Sequence, residues 1–216
     1  MPASAKAESF TLRASRENPE MVVFAPQSGR PSPVVVMLHG RCDVPENECP
    51  RFADAVTEQA WLVCPRGDVA CSSGGASWSY AKRGALPRAA LSFMESHFAA
   101  HIDGRRGHTL MGFSLGAIAA MDAVNRGEGA FSHLILIGAK VEPTISILRR
   151  AGISDVVMMA GQWDMTWGLM QRQARRLELQ GMSSRFVDLG RIGHCFPEDT
   201  NFYVRQALTF YAGWSA

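Results

Sequence analysis

Long apolar runs are missing from this sequence. None approaches the ~18 consecutive residues needed to cross a bilayer, and the first thirty residues contain no apolar segment of the secretory-signal kind. A soluble chain with no membrane span is expected. A dominant charge is missing as well: 22 basic residues face 20 acidic ones, leaving +2. Such a field is too weak to gather nucleic acid or an anionic membrane surface, so neither is expected as a partner. Lysine is scarce, with three residues against nineteen arginines; the bias reads as genome composition in preference to selection for anion binding. There is no Cys-x-x-Cys and no histidine cluster with metal-ligand spacing, so no metal is expected. His97 and His101 stand four apart on a helical stretch but lack the glutamate placement of a metalloprotease, and read as a solvated face. Internal repeats, low-complexity tracts and linkers are also absent, which favours one domain over residues 1–216.

What remains is the composition of a globular chain, 47% hydrophobic and 19% charged over 216 residues. That length buries roughly two-thirds to three-quarters of the unfolded surface. Five cysteines include two pairs, Cys42 with Cys49 and Cys64 with Cys71, each pair with six intervening residues and each just after an apolar run. Four cysteines allow three pairings; the two short loops are preferred here, with Cys195 left as a thiol, and reduced thiols are the alternative. Bridges would imply folding in an oxidising compartment, outside the cytoplasm; reduced thiols would fit the cytoplasm.

Short apolar runs, several rich in β-branched residues, mark strands at residues 21–25, 34–38, 61–64, 108–111, 134–137, 156–160 and 185–189, with 10–12 as a further edge strand. Amphipathic stretches between them mark helices at 50–59, 86–101, 115–125, 145–150, 165–179 and 200–214. Alternation of this kind implies an α/β fold, a mainly parallel twisted sheet of about seven to eight strands with helices on both faces, opened by an antiparallel hairpin. The longest irregular stretch, 65–84, carries Trp78 and Tyr80 among Gly and Ser, and loops of that length are usually functional.

After the strand ending at Met111 comes Gly112-Phe113-Ser114-Leu115-Gly116, followed by the small-residue helical run Ala117-Ile118-Ala119-Ala120. A serine exposed on a sharp strand-to-helix turn takes strained backbone angles and crowds the residues two before and two after, where glycine fits. The hydroxyl needs a base, and the base needs an acid to fix its tautomer. Both should follow downstream in the order serine, acid, histidine. Gly161-Gln162-Trp163-Asp164 follows one strand and Gly190-Arg191-Ile192-Gly193-His194 the next, which makes Ser114, Asp164 and His194 the candidate triad. Asp155 precedes its strand and Asp188 lies within one, so both read as structural or solvated carboxylates. At the end of the strand 34–38 stands His39-Gly40-Arg41, with Asp43 close behind. Backbone N–H groups at Arg41 and Leu115 are the candidate oxyanion hole, and His39 reads as a strut for the loop.

With these residues in view, the chain resembles the α/β-hydrolase superfamily, and within it compact serine esterases of the phospholipase/carboxylesterase and dienelactone-hydrolase-like kind. The likeness runs from Val34 to Trp214 and rests on the 34–40 strand and turn, the 112–116 elbow, the 161–164 turn and Gly193-His194. It departs at Arg41-Cys42-Asp43, where the carboxylesterase group usually has a glycine close after His-Gly; the cysteine there is reminiscent of secreted polyester and feruloyl esterases. The resemblance implies a cofactor-free hydrolase of small-molecule carboxylic esters. The interval 138–155 is too short for a cap domain, so an open site is expected. Trp78, Trp163, Trp167 and Phe196 are candidate substrate-binding residues favouring short-chain or aromatic acyl groups. A thioesterase or peptidase with the same triad, or an idle hydrolase fold used for binding, are the alternatives.

Overall fold

The β-branched runs pair into one sheet, and the order of pairing is what gathers the marked residues. The computed structural model describes residues 9–13, 19–127 and 130–211. In chain order these form β1 (Ser9–Leu12), β2 (Met21–Phe24), β3 (Val34–Leu38), α1 (Pro45–Glu48), α2 (Pro50–Thr57), β4 (Trp61–Pro65), β5 (Val69–Ala70) and β6 (Ala76–Ser77). Then come α3 (Leu86–His97), β7 (Thr109–Phe113), α4 (Leu115–Arg126), β8 (His133–Ile137) and α5 (Ile145–Arg150). The last elements are β9 (Asp155–Ala160), α6 (Trp167–Leu179), β10 (Ser183–Asp188) and α7 (Thr200–Leu208).

The eight-stranded sheet has the order β1-β2-β4-β3-β7-β8-β9-β10. β1 with β2 and β2 with β4 are antiparallel, and every later pairing is parallel. Successive side chains leave a strand on opposite faces, which splits the core in two. Val34, Val36 and Leu38 join the side chains of α3, α4, α5 and α6, whereas Val35 and Met37 join those of α2 and α7. Both faces are covered, as the unbroken apolar strands require. Between β8 and β9 stands α5 alone among the described elements, and no cap is inserted there. This is the fold class expected from the sequence.

Most boundaries shift from expectation by one or two residues, and three differences are larger. The stretch 86–101 is helical only to His97; Phe98 leaves helical geometry at φ −121° to set its ring 5.6 Å from that of Trp61, and a 3₁₀ turn, Ala99–His101, follows. α7 stops at Leu208, and Tyr211 stacks on His133 at 4.3 Å; expected helical residues 212–214 lie outside the described range. Inside the supposedly irregular 65–84, β5 and β6 form a small hairpin.

That hairpin corrects the cysteine pairing. Cys42 is bonded to Cys71 and Cys49 to Cys64, with Cα–Cα distances of 5.6 and 6.3 Å. The short-loop pairs do not form because β6 bridges Asp43 and so lays Cys71 over Cys42, while Cys49 and Cys64 share the core beneath α2. Cys195 is free and exposed, as expected. No helix among the described residues is long and apolar enough to cross a membrane.

Candidate active site

Ser114 stands between β7 and α4 with φ 55° and ψ −117°, one of two non-glycine residues at positive φ among those described. The turn is crowded: a Cβ on Gly112 would strike the Gly116 carbonyl, and one on Gly116 the Leu38 carbonyl, so neither position takes a side chain without moving backbone. Ladder geometry supports the strain, since the Ser114 N–H donates to Ile137 O at 2.8 Å.

Three strand ends converge on this turn. The Ser114 hydroxyl donates to His194 Nε2 at 2.8 Å, and His194 Nδ1–H donates to Asp164 Oδ2 at 2.6 Å. Asp164 is buried, and its other oxygen accepts from the Thr166 N–H at 2.8 Å and the Thr166 hydroxyl at 2.9 Å. Burial alone would raise its pKa, but the Thr166 N–H, His194 and the Thr166 hydroxyl outweigh that and hold the carboxyl below the usual range. It is therefore a carboxylate wherever the protein is folded at neutral pH. The imidazole is half exposed on its outer side and backed by Phe113, 4.9 Å away. Gly138, at φ 60°, passes under the pair; a Cβ there would lie 3.2 Å from both Asp164 Oδ2 and His194 Cε1.

The acid and histidine loops are joined by main chain. Gln162 N–H donates to Gly190 O at 2.8 Å and Trp163 N–H to Ile192 O at 2.9 Å. Asp188 caps the same junction, accepting from Gln162 Nε2 and from the Gly190 N–H. Asp155 is remote, at the opposite end of β9 from the Asp164 turn, where it accepts from His133 Nδ1 at 2.9 Å. Both carboxylates are structural, as the sequence suggested.

On the other flank, Arg41, Ser114 and Leu115 line one open groove of about 340 Å³ together with Ile118, Gly138, Ala139, Lys140 and Thr166. Neither the Arg41 nor the Leu115 N–H has a protein acceptor among the described residues. Two peptide N–H donors beside an activated serine are what an oxyanion requires. His39 is the strut it was expected to be. Its Nδ1–H donates to Gly40 O at 2.7 Å and its Nε2 accepts from the Gly67 N–H at 3.0 Å. Burial lowers its pKa and keeps it neutral.

The aromatic candidates are dispersed. Trp78 is buried, with Nε1–H on His39 O at 2.8 Å, and so holds the His39–Arg41 loop from below instead of lining the groove. Trp167 packs edge-on against Phe186, and Phe196 against Phe52 and Phe113. Trp163 is 71% exposed and Tyr80 83%. The groove's wall comes instead from Ile118, Ala139, Lys140 and Thr166, which the sequence reading missed because nothing in their local pattern separates them from ordinary helix and loop residues. Arg41 and Lys140 are exposed and make no ion pair among the described residues.

No protein-family model matches the sequence, and no curated protein matches it. Solved structures do resemble it. A feruloyl esterase module from Clostridium thermocellum, complexed with sinapinate, superposes with TM-score 0.73 at 13% identity, covering 100% of this chain and 91% of that one. S-formylglutathione hydrolase from Staphylococcus aureus gives 0.67 at 15%, covering 94% and 98%. An esterase from Pyrobaculum calidifontis gives 0.63 at 18%, covering 94% and 84%. At these identities the likeness establishes the fold, which is that of the α/β hydrolases.

Proposed function

We propose that this chain is a serine hydrolase that cleaves carboxylic esters of small molecules through an acyl-enzyme. The observation that carries the reading is the unbroken relay from Asp164 through His194 to Ser114, at 2.6 and 2.8 Å, beside two N–H groups that have no acceptor among the described residues. Ser114 Oγ attacks the acyl carbon as its proton passes to His194 Nε2, and the carbonyl π electrons move onto oxygen between the Arg41 and Leu115 N–H groups. Collapse breaks the bond to the alcohol, which leaves with the proton from His194. Water then repeats the attack on the acyl-serine, with His194 again as base, releasing the acid.

The similar structures include esterases and feruloyl esterases, which supports ester cleavage and a hydroxycinnamoyl or other aromatic acyl group. The open groove supports short acyl chains, because a long chain needs a tunnel to bury its ~0.8 kcal/mol per methylene. The two disulfides support a life in an oxidising compartment. A panel of p-nitrophenyl esters from acetyl to palmitoyl, with a hydroxycinnamoyl ester and an acyl thioester, tests this. Turnover is expected to peak between acetyl and about hexanoyl, and to extend to the aromatic ester. A specificity constant rising steadily to palmitoyl, or confined to the thioester, would replace the reading.

A further inference from the structure

The loop that offers Arg41 is held almost entirely by side chains. Across the two peptide planes from His39 to Arg41 there are four polar groups. His39 O accepts from Trp78 Nε1, Gly40 N–H donates to Glu48 Oε1 at 2.9 Å, and Gly40 O accepts from His39 Nδ1. The fourth, the Arg41 N–H, has no protein acceptor among the described residues. Glu48 is 3% exposed at the end of α1; its second oxygen, Oε2, is buried and accepts no N–H or O–H, and the carboxyl faces that of Asp43, with which it shares a side-chain hydrogen bond. The next residue, Cys49, is tied to β4 by its disulfide, and Cys42, just past Arg41, is tied to Cys71. Glu48 is thus fixed covalently close by, against a peptide one residue from the oxyanion donor.

We propose that Glu48 is a positioning residue: by accepting the Gly40 N–H it sets the peptide plane that presents the Arg41 N–H to the oxyanion, and it does so as a neutral carboxylic acid. This rests on the ester-hydrolase reading. Charge is the reason for neutrality. A buried carboxylate behind an oxyanion donor would oppose the negative charge that builds on the substrate oxygen, whereas the neutral acid accepts the same hydrogen bond without that penalty. The surroundings favour the acid. Burial raises the Glu48 pKa, the Gly40 N–H opposes, and the Asp43 carboxylate raises it again, against a small lowering by Arg51, leaving it at about 8. His39 adds no charge: burial lowers its pKa and its Nε2 accepts the Gly67 N–H, which outweigh the Gly40 carbonyl that favours the charged ring, and Phe113 fills the remaining side near Gly40 with an apolar ring.

The test compares wild type, Glu48→Gln and Glu48→Ala in p-nitrophenyl acetate hydrolysis between about pH 6 and pH 10, with fluorophosphonate labelling as a second readout. Gln keeps a carbonyl acceptor for Gly40 and never ionises. It should retain kcat within about threefold at neutral pH, and should lack the fall in kcat that wild type shows as pH rises through about 8. Ala should lose about ten- to a hundredfold in kcat with KM nearly unchanged, since a misaimed donor weakens only the transition state. An alkaline limb that persists unchanged in the Gln variant, a wild type with no such limb, or a Gln variant as impaired as Ala would each overturn the proposal. If Ala does not fold, the Gln pH profile decides alone. Should wild type neither hydrolyse esters nor take the label, it is the ester-hydrolase reading that fails.

Discussion

The two flanks of Ser114 are built by different means. On the side of the proposed oxyanion donor Arg41, the loop after β3 departs from the sheet, and its hold comes from elsewhere in the chain: two disulfides, the β5–β6 hairpin, and the buried side chains of His39, Glu48 and Trp78. On the acid–histidine side, the turns after β9 and β10 stay beside one another and are joined by main-chain hydrogen bonds with Asp188 and Thr166 as local caps. No covalent tie is present there among the described residues, and Cys195, next to His194, is a free thiol. A short turn at the end of a strand inherits its geometry from the ladder, while a long excursion must be fastened from outside. The difference predicts which flank fails under which insult.

The largest effect belongs to the point where the flanks meet. Ser114→Ala should fold normally and lose on the order of a million-fold in turnover, with the remainder left to the oxyanion donors. Activity within tenfold of wild type would remove the common centre on which the comparison depends. On the acid side, Asp164→Asn should cost on the order of ten-thousand-fold by releasing the histidine tautomer, with little change in thermal unfolding by reductant. In the folded protein the Asp164 pKa is depressed, so its contribution to stability is complete above the ordinary carboxylate range and lost as pH falls through the folded value. Acid titration of the unfolding midpoint should show that loss in wild type and much less of it in the Asn variant.

On the oxyanion side, removing a bridge should act through stability. The bridges close 15 and 29 residues, and each is expected to contribute about 3 to 4 kcal/mol by restricting the unfolded chain. Cys49→Ala with Cys64→Ala should lower the melting temperature markedly, and reductant should lower wild type but not a variant lacking both bridges. A reductant effect that survives removal of all four cysteines would erase the contrast between flanks. Glu48 sharpens it further. Its carboxyl is raised from 4.5 to about 8 on folding, so the folded state holds a proton the unfolded state releases, and stability must fall as pH rises between those values. Glu48→Gln should flatten that decline, gaining on the order of a few kcal/mol by pH ~8 in denaturant titrations. The smallest effect concerns the groove. Lys140→Met should reduce kcat/KM for p-nitrophenyl hemisuccinate by about three- to tenfold and leave the butyrate ester unaffected, since one exposed cation contributes little more than ~1 kcal/mol.

Legibility in the sequence followed the same division. The strand-end residues Ser114, Asp164 and His194 stood out because each follows a strand-like run in a fixed order, and local pattern carries that information. The mainly parallel sheet and the helices on both its faces were legible for the same reason, through the alternation of apolar runs and amphipathic stretches, whereas the order of the strands was not read. The cysteine pairing was not, because what joins Cys42 to Cys71 is the fold-back of a hairpin across 29 residues. Glu48 reads as one of several acids in a polar stretch, and only the approach of Gly40 gives it a task. Trp78 shows the converse. Its place in a long Gly and Ser loop suggested a substrate contact, yet the indole found a buried carbonyl to satisfy.

The central claim is that Ser114 is activated by His194 and Asp164 to attack an acyl carbon. Fluorophosphonate treatment followed by peptide mass mapping tests it most directly. A single adduct on the Ser114 peptide is expected, with loss of ester hydrolysis in proportion to labelling and no adduct in His194→Ala. Hydrolysis that continues after full treatment with Ser114 unlabelled would contradict it.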